Sequence, residues 1–82
     1  MLKRFLVEAY TPAETVICEI EKRARRAAKE LSKAGTPVRY LHPIFIPEDE
    51  ICFHLLDAAT SAAAAEAIRR AGVAAHRISE AT

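Results

Sequence analysis

The order in which strand-like and helix-like patterns follow one another is the feature that most constrains the fold of this chain. Strand-like segments, in which apolar residues alternate or cluster over short runs, cover residues 3–10, 38–46, 51–56 and 75–80. Two segments with apolar residues at helical spacing separate the first strand from the second and the third from the fourth. The predicted order is therefore β-α-β-β-α-β, which limits the chain to a few α+β architectures.

Residues that favour helix ends bound the two helical segments. Thr11–Glu14 has the pattern of a capping box, with proline at the first helical position, and predicts the start of the first helix. Gly35 predicts the end of that helix. The second helix is predicted over 61–71, with Thr60 as its N-cap and Gly72 after its last turn.

The βαββαβ order in 82 residues predicts one ferredoxin-like domain over residues 1–82. We expect a four-stranded antiparallel sheet with strand order 4-1-3-2 and both helices on one face. The other face of the sheet would then be left open. What occupies that open face becomes the main functional question.

The predicted hairpin between the second and third strands assigns residues to the two faces. If 47–49 is a three-residue loop, Ile46 lies opposite Glu50, and His42 lies opposite His54. A register shifted by one residue is rejected here because it would place Phe53, predicted to face the helices, opposite an outward residue. The open face is then predicted to carry Leu6, Glu8, Tyr10, Tyr40, His42, Ile44, Cys52, His54 and Leu56.

Four of these residues have side chains that bind divalent metals. Imidazole, thiolate and carboxylate groups together suit nickel or zinc. Directly opposed residues of an antiparallel pair have Cβ atoms about 5 Å apart, which allows two imidazoles to share one ion. The predicted ligands are His42, His54, Cys52 and Glu8. The remaining predicted residues, which would line a ligand pocket or a dimer interface, are Leu6, Tyr10, Tyr40, Ile44 and Leu56.

Charge and composition exclude several classes of partner. Twelve basic and eleven acidic residues give a net charge of +1, which offers no bulk attraction to nucleic acid or to an anionic membrane. Apolar runs are too short to span a bilayer, and the two cysteines form no CxxC motif, so we expect a cytoplasmic protein with free thiols. The chain contains 17 alanines and no tryptophan, so its core is small and a homodimer or higher homo-oligomer is expected.

Short motifs spread over nearly the whole chain resemble a small ferredoxin-like family of unknown function whose members are often described as nickel-binding. The matching segments are Phe5–Glu8, Val38–His42, Ile51–Phe53, Ala67–Gly72 and His76–Glu80. The resemblance implies a ferredoxin-like fold, a homodimer and divalent metal binding, with no established catalytic activity. By position, the family's strand histidine corresponds to His42 and its third-strand cysteine to Cys52.

Three functions remain open at this point. The first is a dimer that binds nickel or zinc on its open face. The second is a small-molecule-binding protein or enzyme of the dimeric α/β-barrel type, in which two open sheets enclose a pocket and His42, His54, Cys52 and Glu8 are candidate acid–base groups. The third is a structural module that only dimerises. RNA binding by this topology requires aromatic side chains on the central strands and basic surroundings, which this sequence does not offer.

Overall fold

The computed structural model describes residues 1–81 and confirms the predicted element order. All strand pairs are antiparallel, and the sheet order β2-β3-β1-β4 is the predicted one written from the other edge. A 3₁₀ turn at Pro47–Asp49 links the second and third strands. The elements are β1 (Lys3–Tyr10), α1 (Ile17–Lys33), β2 (Val38–Ile46), β3 (Ile51–Ala58), α2 (Ser61–Arg70) and β4 (Arg77–Ala81).

The start of α1 differs from the sequence prediction. The helix begins at Ile17, six residues after the predicted cap Thr11, and no side chain caps it. The Thr11 hydroxyl instead donates to the carbonyl of Ala9 at 3.2 Å, and its backbone N–H donates to the carbonyl of Glu50 at 2.8 Å. The predicted capping box was wrong because the Thr11 hydroxyl is bound to Ala9 and its backbone N–H to the distant hairpin loop, so neither group is available to a helix cap.

The other predicted helix ends are confirmed. The Thr60 hydroxyl accepts a hydrogen bond from the backbone N–H of Ala63 at 3.2 Å, so it is the N-cap of α2. Gly35 and Gly72 follow the two helices with φ angles of 97° and 83°. Only glycine adopts this left-handed conformation without strain, which explains why both helices end there.

The core lies between the two helices and one face of the sheet. α1 contributes Ala24, Ala28 and Leu31, and α2 contributes an alanine-rich face around Ile68. Small side chains let both helices lie close to the strands, so a chain with few large apolar residues still forms a packed core. The sheet residues of this cluster are Phe5, Val7, Val38, Tyr40, Leu56 and Ala58.

The β2–β3 hairpin has the register that the sequence analysis rejected. Ile46 pairs with Ile51 and Ile44 pairs with Phe53, so four residues rather than three separate the paired strand ends. The additional loop residue is Glu50, which is left-handed, with φ 52° and ψ 43°. Its carboxylate accepts a hydrogen bond from the backbone N–H of Ala13 at 2.9 Å, which ties it to the β1–α1 loop. A one-residue change in register moves every β3 side chain to the opposite face.

A bulge in β2 changes the direction of its side chains once more. Tyr40 pairs with Leu56 and His42 pairs with Leu55, so Leu41 is an additional residue between them. Arg25 of α1 donates to the carbonyl of Tyr40 at 3.0 Å and to that of Leu41 at 2.8 Å. The arginine therefore satisfies backbone groups at the irregular part of the ladder.

Candidate functional site

The open face of the sheet carries a continuous apolar centre. β3 contributes Ile51, Phe53 and Leu55, all half-buried, to a face that neither helix covers. Ile44 of β2 is 46% exposed and Tyr10 of β1 is 66% exposed. Exposed large apolar side chains that are contiguous in this way are uncommon on monomeric proteins and mark a surface that binds something. The residues that form the apolar centre of the open face are Leu6, Tyr10, Ile44, Ile46, Ile51, Phe53 and Leu55.

The structure separates the predicted metal ligands. His42 and Glu8 lie on the open face, as predicted. Cys52 and His54 lie on the helix-covered face and are completely buried. Their predicted position was wrong because the hairpin contains one more loop residue than assumed. His54 therefore lies opposite Pro43, and His42 lies opposite Leu55.

The predicted pocket or interface residues divide in the same way. Leu6, Tyr10 and Ile44 lie on the open face, as expected. Tyr40 and Leu56 instead belong to the core, with 4% and 0% exposure. Tyr40 faces inward because it precedes the β2 bulge, whereas Leu56 faces inward because of the hairpin register.

The buried histidine forms a polar pair inside the core. The Nδ1 atom of His54 and the hydroxyl of Tyr40 are 2.7 Å apart, and Nε2 of His54 has no hydrogen-bond partner among the described residues. Burial lowers the pKa of His54 to about 4, so the imidazole is neutral near neutral pH. Burial also raises the pKa of Tyr40 and raises that of the Cys52 thiol to about 11. All three side chains are therefore neutral and buried near neutral pH.

A cavity opens at one end of the open face. It has a volume of about 260 Å³ and is lined by Glu8, Tyr10, Asp49, Ile51 and His76. The backbone N–H of His76 donates to the carbonyl of Glu8 at 2.7 Å, which fixes the chain entering β4 beside β1. The cavity thus combines an imidazole, two carboxylates and a phenol with an apolar wall.

Hydrogen bonds set the polar borders of the open face. Tyr10 donates through its hydroxyl to Oε1 of Glu50 at 3.4 Å, and the charge of Glu50 raises the pKa of that tyrosine. At the opposite end, Arg4 and Asp57 form a two-point ion pair at 2.9 and 3.3 Å. That pair lowers the pKa of Asp57 through its hydrogen bond with Arg4. The apolar centre is therefore enclosed by charged groups at both ends.

Sequence reasoning missed two residues of this cavity. The sequence analysis gave no role in the site to His76, which directly precedes β4, or to Asp49, which lies in the hairpin turn. The β4–β1 pairing contained a usable signal, because a strand beside β1 in antiparallel order brings its first residues next to Glu8. The position of Asp49 depends on the turn geometry around Glu50, which the sequence pattern did not reveal.

The residues of a single chain do not fit the predicted metal site. Within residues 1–81, no group of three or more His, Cys, Asp and Glu side chains is placed to hold a metal ion. The four predicted ligands belong to opposite faces of the sheet, so they cannot coordinate one ion. Two of them also lack the properties of ligands in this fold, because Cys52 and His54 are enclosed by the core.

Comparison with known proteins supports the fold. No protein-family model and no curated protein matches the chain. The crystal structure of SCO4226 from Streptomyces coelicolor A3(2) superposes with a TM-score of 0.71 at 19% sequence identity, covering 95% of this chain and 94% of that one. Across residues 1–81, no helix is both long enough and apolar enough to cross a membrane. The structural similarity to SCO4226 shows that the chain has a ferredoxin-like α+β fold.

Proposed function

We propose that this protein is a homodimer that binds a small molecule between its two open sheet faces. The observation that supports this most strongly is the apolar centre of the open face, which ends at a cavity lined by ionisable groups. The solvated face of a sheet usually carries polar side chains, whereas this face carries Ile51, Phe53 and Leu55 next to one another along β3. A surface that only had to dimerise would not need the cavity.

A second copy of the chain is the occupant that the size of the face favours. Four strands about 4.8 Å apart, each five to nine residues long, give a face of roughly 500 Å² in projection. The accessible area of the side chains on such a face is larger than its projection, and a stable interface buries roughly 800 Å² per partner. Burying apolar area at about 25 cal/mol per Å² would also supply stability that the alanine-rich core lacks.

The cavity indicates what kind of small molecule would bind. Neither Glu8 nor Asp49 has a side-chain hydrogen bond or ion pair with another described residue, so both carboxylates are available as acceptors. Ile51 and Tyr10 provide apolar contact beside them. The volume is slightly below the usual range for a complete ligand site, about 300–1,000 Å³, and a second copy would add walls. The favoured ligand is a small, partly apolar amine.

The dimer is tested by placing a charge at the centre of the open face. We expect the wild-type protein to have twice the 9.0 kDa mass of one chain and Phe53→Glu to have the mass of one chain, measured by analytical ultracentrifugation. Val16→Glu is the matched control, because Val16 is also apolar and exposed but does not lie on the sheet. A wild-type monomer at high concentration, or a Phe53→Glu dimer, would contradict the proposal.

The ligand site is tested with a simple aromatic amine. Tyramine should shift the backbone amide signals of Glu8, Tyr10 and Ile51 in a saturable way in NMR spectra. Glu8→Gln should weaken this binding about tenfold, because a charge-assisted hydrogen bond is lost. Glu48→Gln removes the same charge from the neighbouring loop but not from the cavity and should bind tyramine like the wild type. Equal loss in both variants would show only general electrostatic attraction.

A divalent metal at the dimer interface is the second candidate. His42 and Glu8 both lie on the open face, so a second copy would bring another of each to the same surface. Metal-stripped protein titrated with Ni²⁺ or Zn²⁺ should bind one ion per dimer, and His42→Ala should abolish binding while the buried His54→Gln should not. Binding that persists in His42→Ala would exclude this arrangement. Membership of the nickel-binding family and a cytoplasmic location stay predictions.

A further inference from the structure

The outer surface of the two helices carries a second cavity that the proposed function does not use. It has a volume of about 120 Å³ and is lined by Arg23, Arg26, Ala27, Glu30 and Arg70. The four α1 residues follow the spacing i, i+3, i+4 and i+7, so they lie on one side of that helix. Arg70 is the last residue of α2 and completes the wall.

The charges around this cavity are not balanced. Three guanidinium groups and one carboxylate give the lining a net charge of +2. Arg70 shares its acidic partner, Glu66, with a second arginine, Arg69, at 2.8 and 2.6 Å respectively. Including that trio, four arginines face two carboxylates, and the excess is still +2. Like charges that line one cavity repel each other, and an anion bound between them relieves that repulsion.

The arginines differ in how their donors are used. Arg23 donates through Nε to the carbonyl of Ala71 at 3.0 Å, which caps the end of α2 and holds the guanidinium at the cavity rim. Arg26 makes no side-chain hydrogen bond or ion pair with the rest of residues 1–81. By contrast, Arg25, one position earlier, is bound by Glu21 at 2.7 Å. The hydrogen bond to the end of α2 therefore accounts for the position of Arg23. The N–H donors of Arg26 have no such partner among residues 1–81.

We infer that this cavity is a binding site for a phosphate group. Guanidinium groups match the oxygen geometry of phosphate with paired N–H donors, and three arginines line this cavity. The cavity, about 120 Å³ and open to solvent, has room for one tetrahedral anion against its arginine lining. The ligand is therefore inorganic phosphate or a phosphate monoester whose organic part lies outside the cavity.

The test follows the arginine Nε–Hε signals in NMR spectra during titration at constant ionic strength. Inorganic phosphate and glycerol phosphate are the two probes. We expect saturable shifts of the signals of Arg23, Arg26 and Arg70. Tighter binding of glycerol phosphate would assign the site to an organic phosphate, whereas tighter binding of inorganic phosphate would assign it to the free anion.

Two variants separate a built site from general attraction to a basic surface. Arg26→Gln should weaken phosphate binding about tenfold, since it removes charge-assisted donors from the cavity. Arg39→Gln is the matched control, because it removes the same charge from β2, on the open side of the sheet, and should change the affinity less than about twofold. Equal weakening in both variants, or no saturable shift below roughly 10 mM phosphate, would overturn the inference.

Discussion

The two faces of β3 differ in burial, and the difference is opposite to the one that their residue types would predict. The face against the helices buries Cys52 and His54 completely, whereas the open face exposes parts of Phe53 and Leu55. In a sheet with one solvated side, the larger apolar residues usually face the core and the polar ones face water. β3 departs from this pattern at these four positions, as expected for a strand whose open face is covered by a second chain in our proposal.

The comparison also shows what each face requires. The helix-covered face accepts a histidine because Tyr40 provides a partner at 2.7 Å and because burial keeps the imidazole neutral. The open face has no such internal partner for its apolar groups. The covered face is therefore complete within one chain, and the open face is completed by a second chain in our proposal. The predictions that follow test this difference, beginning with the largest expected effect.

Two adjacent leucines provide the most direct test of the two faces. Leu56→Ala should lower the free energy of unfolding by about 2–5 kcal/mol, because Leu56 is fully buried in the core. Leu55→Ala should lower it much less in dilute solution, and more as the protein concentration rises and dimers form. Urea denaturation at several protein concentrations measures both effects. Equal and concentration-independent losses would remove the distinction between the faces.

The buried histidine predicts a pH dependence that belongs to the covered face. The pKa of His54 is about 4 in the folded chain and ordinarily 6.5, so the unfolded chain binds a proton more readily. The free energy of unfolding therefore has its full value above pH 6.5 and falls by about 3 kcal/mol as the pH drops to 4.

The matched variant for this prediction is His54→Gln, which removes the titrating group. Its stability should change less than that of the wild type over the same pH window. If the variant does not fold, the imidazole signals of wild-type His54 can be followed by NMR as the pH is lowered. A His54 signal that titrates near pH 6.5 in the folded protein would contradict the prediction.

The smallest expected effect comes from removing one hydroxyl group on each face. Tyr40→Phe should cost about 1–3 kcal/mol, because it leaves Nδ1 of the buried His54 without a partner. Tyr10→Phe should have no measurable effect, because the Tyr10 hydroxyl is exposed and its hydrogen bond to the carboxylate of Glu50 is long, at 3.4 Å. Thermal unfolding of both variants in parallel measures the difference. A larger loss in Tyr10→Phe would show that the open face is rigid within one chain.

The sequence was sufficient to predict the element order and most element ends. Glycines after each helix and the Thr60 cap act locally, so their patterns identify the ends directly. The start of α1 could not be found in this way, because Thr11 is bound by the carbonyl of Glu50 from another part of the chain. Local signals predict structure only where no distant group competes for the same atoms.

The candidate site was harder to predict than the fold, because it depends on a single loop residue. Both faces of β3 are apolar enough to be a core, so alternation alone does not decide which one the helices cover. The left-handed Glu50 and the Leu41 bulge decide it, and neither residue type requires that conformation. His42 and Glu8 stayed on the predicted face, whereas Cys52 and His54 did not.

The irregular part of β2 has a consequence for the behaviour of the chain in a crowded cell. β2 is an edge strand rich in β-forming residues, and such a segment can recruit identical strands into fibrous aggregates. Pro43 lacks the N–H that a recruited strand would need, and the bulge at Leu41 disturbs the regular spacing just before it. These two residues protect the edge from uncontrolled growth. In the homodimer that we propose, association takes place instead through the face of the sheet and stops at two chains.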